Sequence, residues 1–170
     1  LNLDDRDIQF INGSGNSITS VGGGSRKQYN KATCSSIIRI LKHMRQGLRT
    51  QHQLSLKHVM AVSGVDGGTL SPRFDSIPHS MGAKTGTVDP AITLAGLLST
   101  QEGDVHFGIL METQSPADWS SARDRVRSRV MDLLDQFGGR RSFSYAKAAF
   151  LPFDASSSLT SVKNVLSVLP

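Results

Sequence analysis

The chain has 170 residues, of which 38% are apolar and 19% charged, with 16 glycines and 6 prolines. This composition is typical of one globular domain or part of a larger one, and it excludes a disordered tail and a collagen-like rod. The net charge of +5 could attract nucleic acid, anionic lipid or an acidic cell-wall polymer, and does not choose among them. No apolar run approaches the roughly 20 residues of a membrane-spanning helix, so we expect no transmembrane segment.

The basic residues are spread along the chain, and only 6% of residues are aromatic. Stacking platforms for single-stranded nucleic acid are therefore scarce. We expect a solvated basic face and no nucleic-acid partner, and keep a basic nucleic-acid-binding domain as a weaker alternative. The chain opens on Leu1 without a starting Met or the order of a signal peptide, so we expect a processed or truncated N-terminus.

The first half of the chain reads as a short strand, a glycine-rich loop and two helices. Residues 8–11 are β-prone, residues 12–16 break this strand, and residues 20–25 are too glycine-rich for regular structure. Thr33 is an N-cap for a helix, whose apolar stripe follows at spacings of three and four: Ile37, Ile38, Leu41, Met44 and Leu48. Cys34 begins this stripe, so we expect it to be buried. A shorter second helix is predicted over 54–62.

The second half predicts a β-meander followed by a long helix. The strands are expected over 83–88, 92–100 and 105–113, with turn residues at 101–104. Ser115 and Pro116 are typical of a helix start, and the helix is expected over 115–137. Its predicted buried face comprises Ala122, Val126, Val130, Leu133, Leu134 and Phe137. These elements predict an α+β fold, an antiparallel sheet with flanking helices.

Residues 82–87, Gly-Ala-Lys-Thr-Gly-Thr, carry the most informative motif. Lys-Thr-Gly alone is common, and alone it indicates an exposed strand lysine beside a bulge. Here it begins a strand that leads into a hairpin and a long helix, the order found in serine penicillin-binding proteins. Asn-Gly-Ser-Gly at 12–15 and Gly-Val-Asp-Gly-Gly-Thr-Leu at 64–70 precede it, and Leu-Ala-Gly at 94–96 follows.

As an ordered set over residues 8–138, these motifs resemble the C-terminal part of the penicillin-binding-protein-4-like D-alanyl-D-alanine carboxypeptidases, serine peptidase family S13. The resemblance implies that 1–139 form the C-terminal portion of a penicillin-binding-protein/β-lactamase-like domain. For the tail, 140–170, packing on the same domain is one option, and its role is open.

The implied activity is that of a serine D-Ala-D-Ala carboxypeptidase or endopeptidase, working through an acyl-enzyme. Its partners would be peptidoglycan peptide stems, β-lactams and the N-terminal portion of the same enzyme, which would carry the nucleophile in a Ser-x-x-Lys motif upstream of this chain. The location would be periplasmic or otherwise extracytoplasmic, and no cofactor or metal is expected. The alternative is a non-catalytic remnant of the fold that binds peptidoglycan or a protein.

The resemblance also implies roles for individual residues. Lys84 would aid proton transfer, while Thr85 and Thr87 would bind the substrate carboxylate through their hydroxyls. Gly86 would let the substrate backbone lie close to the strand, and the Thr87 N–H would be an oxyanion-hole donor. A glycine-rich insertion separates Arg26 from the motif at 12–15. Arg26 would either contact an acidic group of peptidoglycan or be an exposed loop arginine.

Two serine motifs that match by chance, and the five histidines, are not expected to form a catalytic or metal site. Ser144 and Lys147 have Ser-x-x-Lys spacing, but they follow the Lys-Thr-Gly motif instead of preceding it. Ser14 and Asn16 have Ser-x-Asn spacing within the glycine-serine loop, where turn formation is the expected role. The five histidines show no metal-ligand spacing, and the single cysteine excludes an internal disulfide and a cysteine-based metal cluster.

Overall fold

The structure, a computed structural model, describes residues 3–12, 18–19 and 27–145. In chain order its helices and strands are β1 (Ile8–Gln9), β2 (Ile18–Thr19), β3 (Lys27–Gln28), β4 (Lys31–Ala32), α1 (Cys34–His52), β5 (Ala61–Val62), β6 (Met81–Val88), β7 (Ala91–Thr100), β8 (Gly103–Glu112) and α2 (Trp119–Gln136). Strands β5 to β8 form an antiparallel sheet in that order, while β1 pairs with β4 and β2 with β3. The predicted α+β class is confirmed.

Helix α1 covers one face of the sheet. Its predicted N-cap is confirmed, because the Thr33 hydroxyl accepts a hydrogen bond from the Ser36 N–H at 3.1 Å. Leu41 is buried against Leu97 of β7. The prediction for Cys34 is wrong: its side chain is exposed. The first turn of α1 lies beside β8, an outer strand of the sheet, where little of the described chain covers it.

The prediction of a helix over residues 54–62 is wrong. A single 3-10 turn, Leu56–His58, is followed after two residues by β5. The turn is closed locally, because the Ser55 N–H donates to Nδ1 of His58 at 3.0 Å. The Val62 N–H then donates to a carboxylate oxygen of Asp66 at 2.8 Å, and the chain pairs with β6. A two-residue strand leaves no periodicity that a sequence could show.

Helix α2 covers the opposite face of the sheet and begins at Trp119, four residues after the predicted start. Of the six side chains that its spacing predicted to be buried, Leu133 and Phe137 are only half-buried. The Ser115 N–H donates to Asp118 at 3.0 Å, and a 3-10 turn that begins with Pro116 precedes the helix. The buried side chains of α2 are Ala122, Val126, Val130 and Leu134. They share one core cluster with Met81, Leu94 and Leu98 of the sheet, so α2 anchors the strands that carry the Lys-Thr-Gly motif.

The chain after α2 returns to the sheet. The N–H of Arg141 donates to the Ser99 carbonyl at 2.9 Å, and that of Phe143 donates to the His79 carbonyl at 2.8 Å. Tyr145 donates to the buried carboxylate of Asp66 at 3.1 Å. Residues 140–145 are therefore tied to the same core, and 146–170 lie outside the described residues. Neither described helix is long and apolar enough to cross a membrane.

Candidate active site

Strand β6 has one paired edge and one edge that is largely free. It pairs with β7 along its whole length, whereas β5 pairs only with Gly82 and Ala83. The Met81 carbonyl accepts a hydrogen bond from the Ser63 N–H on the β5 side. Because backbone groups alternate along a strand, the N–H and C=O groups of Thr85 and Thr87 face the same side, where no described strand pairs with them. An extended peptide could add to the sheet at this edge.

Lys84 lies at this free edge. Its side chain is exposed, and Nζ donates a hydrogen bond to the Thr85 carbonyl at 2.5 Å. The ammonium therefore follows the edge and occupies an acceptor that an added strand would use. One cavity beside the N-terminal strands and another between the sheet and α2 are lined by other residues and not by Lys84. The described chain therefore leaves Lys84 at an exposed, open edge of the sheet.

Thr85 is the buried member of the motif. It is 8% exposed, faces the core beneath α2, and its hydroxyl lies 2.5 Å from the hydroxyl of Thr69. Thr87, two residues further along the same face, is exposed. The two hydroxyls therefore sit at different depths, one held by a partner and one open to solvent.

Gly86 has a packing role within the sheet. It pairs with Thr93 of β7, and a Cβ at residue 86 would collide with Oγ1 of Thr93. The neighbouring strand therefore favours a residue without a side chain at this position. This reason is independent of the close substrate approach expected from the sequence, which stays a prediction.

The turn that precedes β6 holds Thr69 in place. Asp66 is 1% exposed and accepts the Val62 N–H, and Ser63 donates to the Ile77 carbonyl at 2.6 Å. Gly64 adopts a φ of +67°, with Pro78 packed where a Cβ would lie. In the sequence, Thr69 is one residue of the turn motif at 64–70. Its contact with Thr85 joins residues 16 apart, and no local pattern signals such a pair.

Not every expected site residue belongs to the described part of the chain. Arg26 and the Gly-Ser-Gly of the preceding loop lie outside the described residues. A cavity of about 360 Å³ lies beside strands β1, β3 and β4, and its lining consists of Gln9, Ile11, Lys27, Gln28, Tyr29 and Lys31. Within 3–12, 18–19 and 27–145, no group of three or more His, Cys, Asp or Glu side chains is arranged to hold a metal ion.

Comparison with known proteins identifies the family. The model of the D-Ala-D-Ala carboxypeptidase 3 (S13) family matches residues 14–133. The chain belongs to this family. The resemblance to the S13 family that the ordered motifs indicated is therefore confirmed. No curated protein sequence matches the chain significantly.

Solved structures agree with this assignment. The Bd3459 predatory endopeptidase from Bdellovibrio bacteriovorus, in complex with the immunity protein Bd3460, is 35% identical with a TM-score of 0.78 over 91% of this chain. The penicillin G-acylated form of that endopeptidase matches at 34% identity and a TM-score of 0.72, over 92% of this chain and 41% of its own. Penicillin-binding protein 4 from Haemophilus influenzae, 21% identical with a TM-score of 0.50, covers 76% of this chain and 29% of its own, and shares the fold. The chain spans 38% of the length of the first of these neighbours.

Proposed function

We propose that this chain forms one side of the active site of a serine peptidase that acts on peptidoglycan. The observation that carries the proposal is the unpaired edge of β6, which presents Lys84 Nζ and the backbone of Thr85 and Thr87 in a member of the S13 family. The nucleophilic serine, with its Ser-x-x-Lys motif, would lie in a portion of the protein upstream of this chain.

The residues at the edge have the chemistry that acyl transfer needs. The serine attacks the peptide carbonyl, an acyl-enzyme forms as the amine leaves, and water releases the acyl group. The Lys84 ammonium raises the local potential and aids proton transfer to the leaving amine. The Thr87 N–H faces the edge as an oxyanion donor, a contact of a kind that stabilises a transition state by about 2.7–4 kcal/mol. The Thr85 and Thr87 hydroxyls, and Arg26 in the preceding loop, bind acidic groups of the substrate.

The bond cleaved in peptidoglycan is a finer part of the proposal. The neighbours of 34–35% identity are described as predatory endopeptidases, and one of them is a peptidoglycan endopeptidase. We therefore extend the proposal to cleavage of peptide cross-links besides the terminal D-Ala-D-Ala bond. A location outside the cytoplasm follows from this substrate. Residues 1–139 would be the C-terminal portion of the peptidase domain, with 140–170 packing on it.

Labelling with a fluorescent penicillin tests the proposal. The acylated neighbour shows that penicillin G reaches the nucleophile of a related enzyme. We expect no covalent label on the 170-residue chain alone, and a label at an upstream serine in the protein that includes the upstream portion. In that protein Lys84→Ala should slow labelling, whereas Lys31→Ala, a control in β4, should not. Labelling of the isolated chain at Ser144 would refute the assignment of parts, and no labelling in either case would favour a binding remnant.

A further inference from the structure

The segment after α2 ends at the turn that precedes the Lys-Thr-Gly strand. The Phe143 N–H donates a hydrogen bond to the His79 carbonyl at 2.8 Å. Nζ of Lys57 donates to the Ser144 carbonyl at 2.6 Å and lies 5.2 Å from the centroid of the Phe143 ring. These contacts hold the backbone of the segment on both sides of Ser144, and they bring the next side chain, that of Tyr145, to the turn.

The group that Tyr145 meets in the turn is a buried carboxylate. Asp66 is 1% exposed, and its Oδ2 accepts the Val62 N–H at 2.8 Å and the Tyr145 hydroxyl at 3.1 Å. Its Oδ1 is equally buried and accepts no hydrogen bond from a described residue. Because a buried carboxylate costs free energy unless hydrogen bonds compensate, the orientation of Asp66 depends on the two donors at Oδ2. Tyr145 is one of them.

The position of Thr69 depends in turn on Asp66. Asp66 and Leu70 are buried, whereas residues 67–69 between them are exposed. Residues 67 and 68 are glycines, so they carry no side chain that could anchor the turn. The Thr69 hydroxyl nevertheless lies 2.5 Å from that of Thr85 on β6. The two buried residues that flank this exposed stretch therefore hold Thr69 in place.

We propose that Tyr145 is a positioning residue of the active site, which acts through Asp66 to hold Thr69 against Thr85. Its effect on the reaction rests on the proposed function, in which β6 forms one side of that site. A binding surface that is already ordered costs the ligand less free energy to bind. Tyr145 makes no contact with the reacting atoms in this proposal, so its loss should weaken substrate binding and leave the chemical step unchanged.

The kinetics of acylation separate these two effects. The protein with its upstream portion is mixed with penicillin over a range of concentrations, which gives a half-saturating concentration and a limiting rate of acylation. Tyr145→Phe should raise the half-saturating concentration about fivefold, the effect of one lost hydrogen bond, with an unchanged limiting rate. A purely structural role would lower the amount of protein labelled and leave both constants unchanged.

Ile37→Val is the matched control for stability. Ile37 lies in α1 and packs on the opposite face of the sheet from α2, where loss of one methylene group destabilises the fold by an amount similar to the loss of a hydrogen bond. Both acylation constants should equal those of the parent in this variant. A half-saturating concentration that rises as much in Ile37→Val as in Tyr145→Phe would overturn the proposal.

A double variant tests whether Tyr145 acts through Thr69. Thr69→Val removes the hydroxyl that the turn positions, and it should also raise the half-saturating concentration. Tyr145→Phe should then have little further effect in the Thr69→Val background, because coupled residues are not additive. Full additivity, an unchanged half-saturating concentration in Tyr145→Phe, or an effect confined to the limiting rate would each refute the positioning role.

Hydrogen–deuterium exchange lets the two proposals fail separately. In the same protein, Tyr145→Phe should speed amide exchange in peptides that cover residues 62–70 and leave exchange in α2 unchanged. If penicillin labels neither parent nor variants, the peptidase is refuted, and exchange alone decides whether Tyr145 positions the turn. Normal labelling of the parent, with a Tyr145→Phe variant that binds penicillin and exchanges like it, would refute the positioning role and leave the peptidase intact.

Discussion

Substitution of Gly86 tests whether the packing of the Lys-Thr-Gly strand is understood. A Cβ at this position would collide with Oγ1 of Thr93 on β7. Overpacking of this kind typically costs about 1–3 kcal/mol of unfolding free energy. Thr93 can turn about its Cα–Cβ bond and direct a hydrogen atom at residue 86, so we expect Gly86→Ala to cost about 1 kcal/mol, the lower end of that range.

Urea unfolding of the 170-residue chain measures this effect, and a double-mutant cycle assigns it. When residue 93 is alanine, the colliding oxygen is gone. The Gly86→Ala/Thr93→Ala double variant should therefore be nearly as stable as Thr93→Ala alone. Gly67→Ala is the matched control, since a Cβ there meets no atom within 4 Å. A Gly86→Ala chain as stable as the parent, or a cost that persists when Thr93 is alanine, would refute the reasoning.

Three further predictions concern the turn, the tail and the opposite face of the sheet. Thr69→Val removes the partner of the Thr85 hydroxyl and should lower the unfolding free energy by about 1 kcal/mol in urea; no loss would contradict the contact. Tyr145→Phe removes a hydrogen bond to the buried Asp66 carboxylate and should cost about 1.5 kcal/mol, while Tyr29→Phe, outside that contact, serves as control. Burial, followed by the charges of Arg45 and Lys42, lowers the pKa of His106 from 6.5, so the unfolded chain binds a proton that the folded chain does not. The unfolding free energy should therefore fall as the pH drops below about 6.5, less so in His106→Gln, and an unchanged pH profile in that variant would contradict this.

The regular elements were predictable where one stretch of sequence holds the whole signal. Thr33 capped α1 as expected, and the meander appeared as β6, β7 and β8. The buried positions of α2 followed their helical spacing. In each case the pattern is local, because capping and periodicity depend on residues within a few positions of one another.

The errors came where tertiary contacts override such patterns. Residues 54–62 have helical spacing, but the Asp66 carboxylate and the edge of β6 draw Val62 into a strand. Cys34 begins an apolar stripe, yet it lies beside an outer strand and stays exposed. Neither the length of a sheet nor the position of its edge can be read from a helix's own sequence.

The candidate site divides in the same way. Lys84, Thr85, Gly86 and Thr87 were expected from their motif, and the structure places them on one strand. Thr69 gave no local signal, because its closeness to Thr85 depends on how the turn packs on the sheet. The sequence could thus indicate the strand that carries the chemistry, but not the side chains that surround it.

The most direct test of the account is a crystal structure of the protein with its upstream portion, acylated by penicillin. We expect the acyl group to lie alongside β6, with its carbonyl oxygen within hydrogen-bond distance of the Thr87 N–H and its carboxylate near the Thr85 and Thr87 hydroxyls. Lys84 should then have left the Thr85 carbonyl and turned towards the acylated serine. A penicilloyl group bound away from this edge, or an edge covered by the protein's own upstream chain, would contradict the central claim.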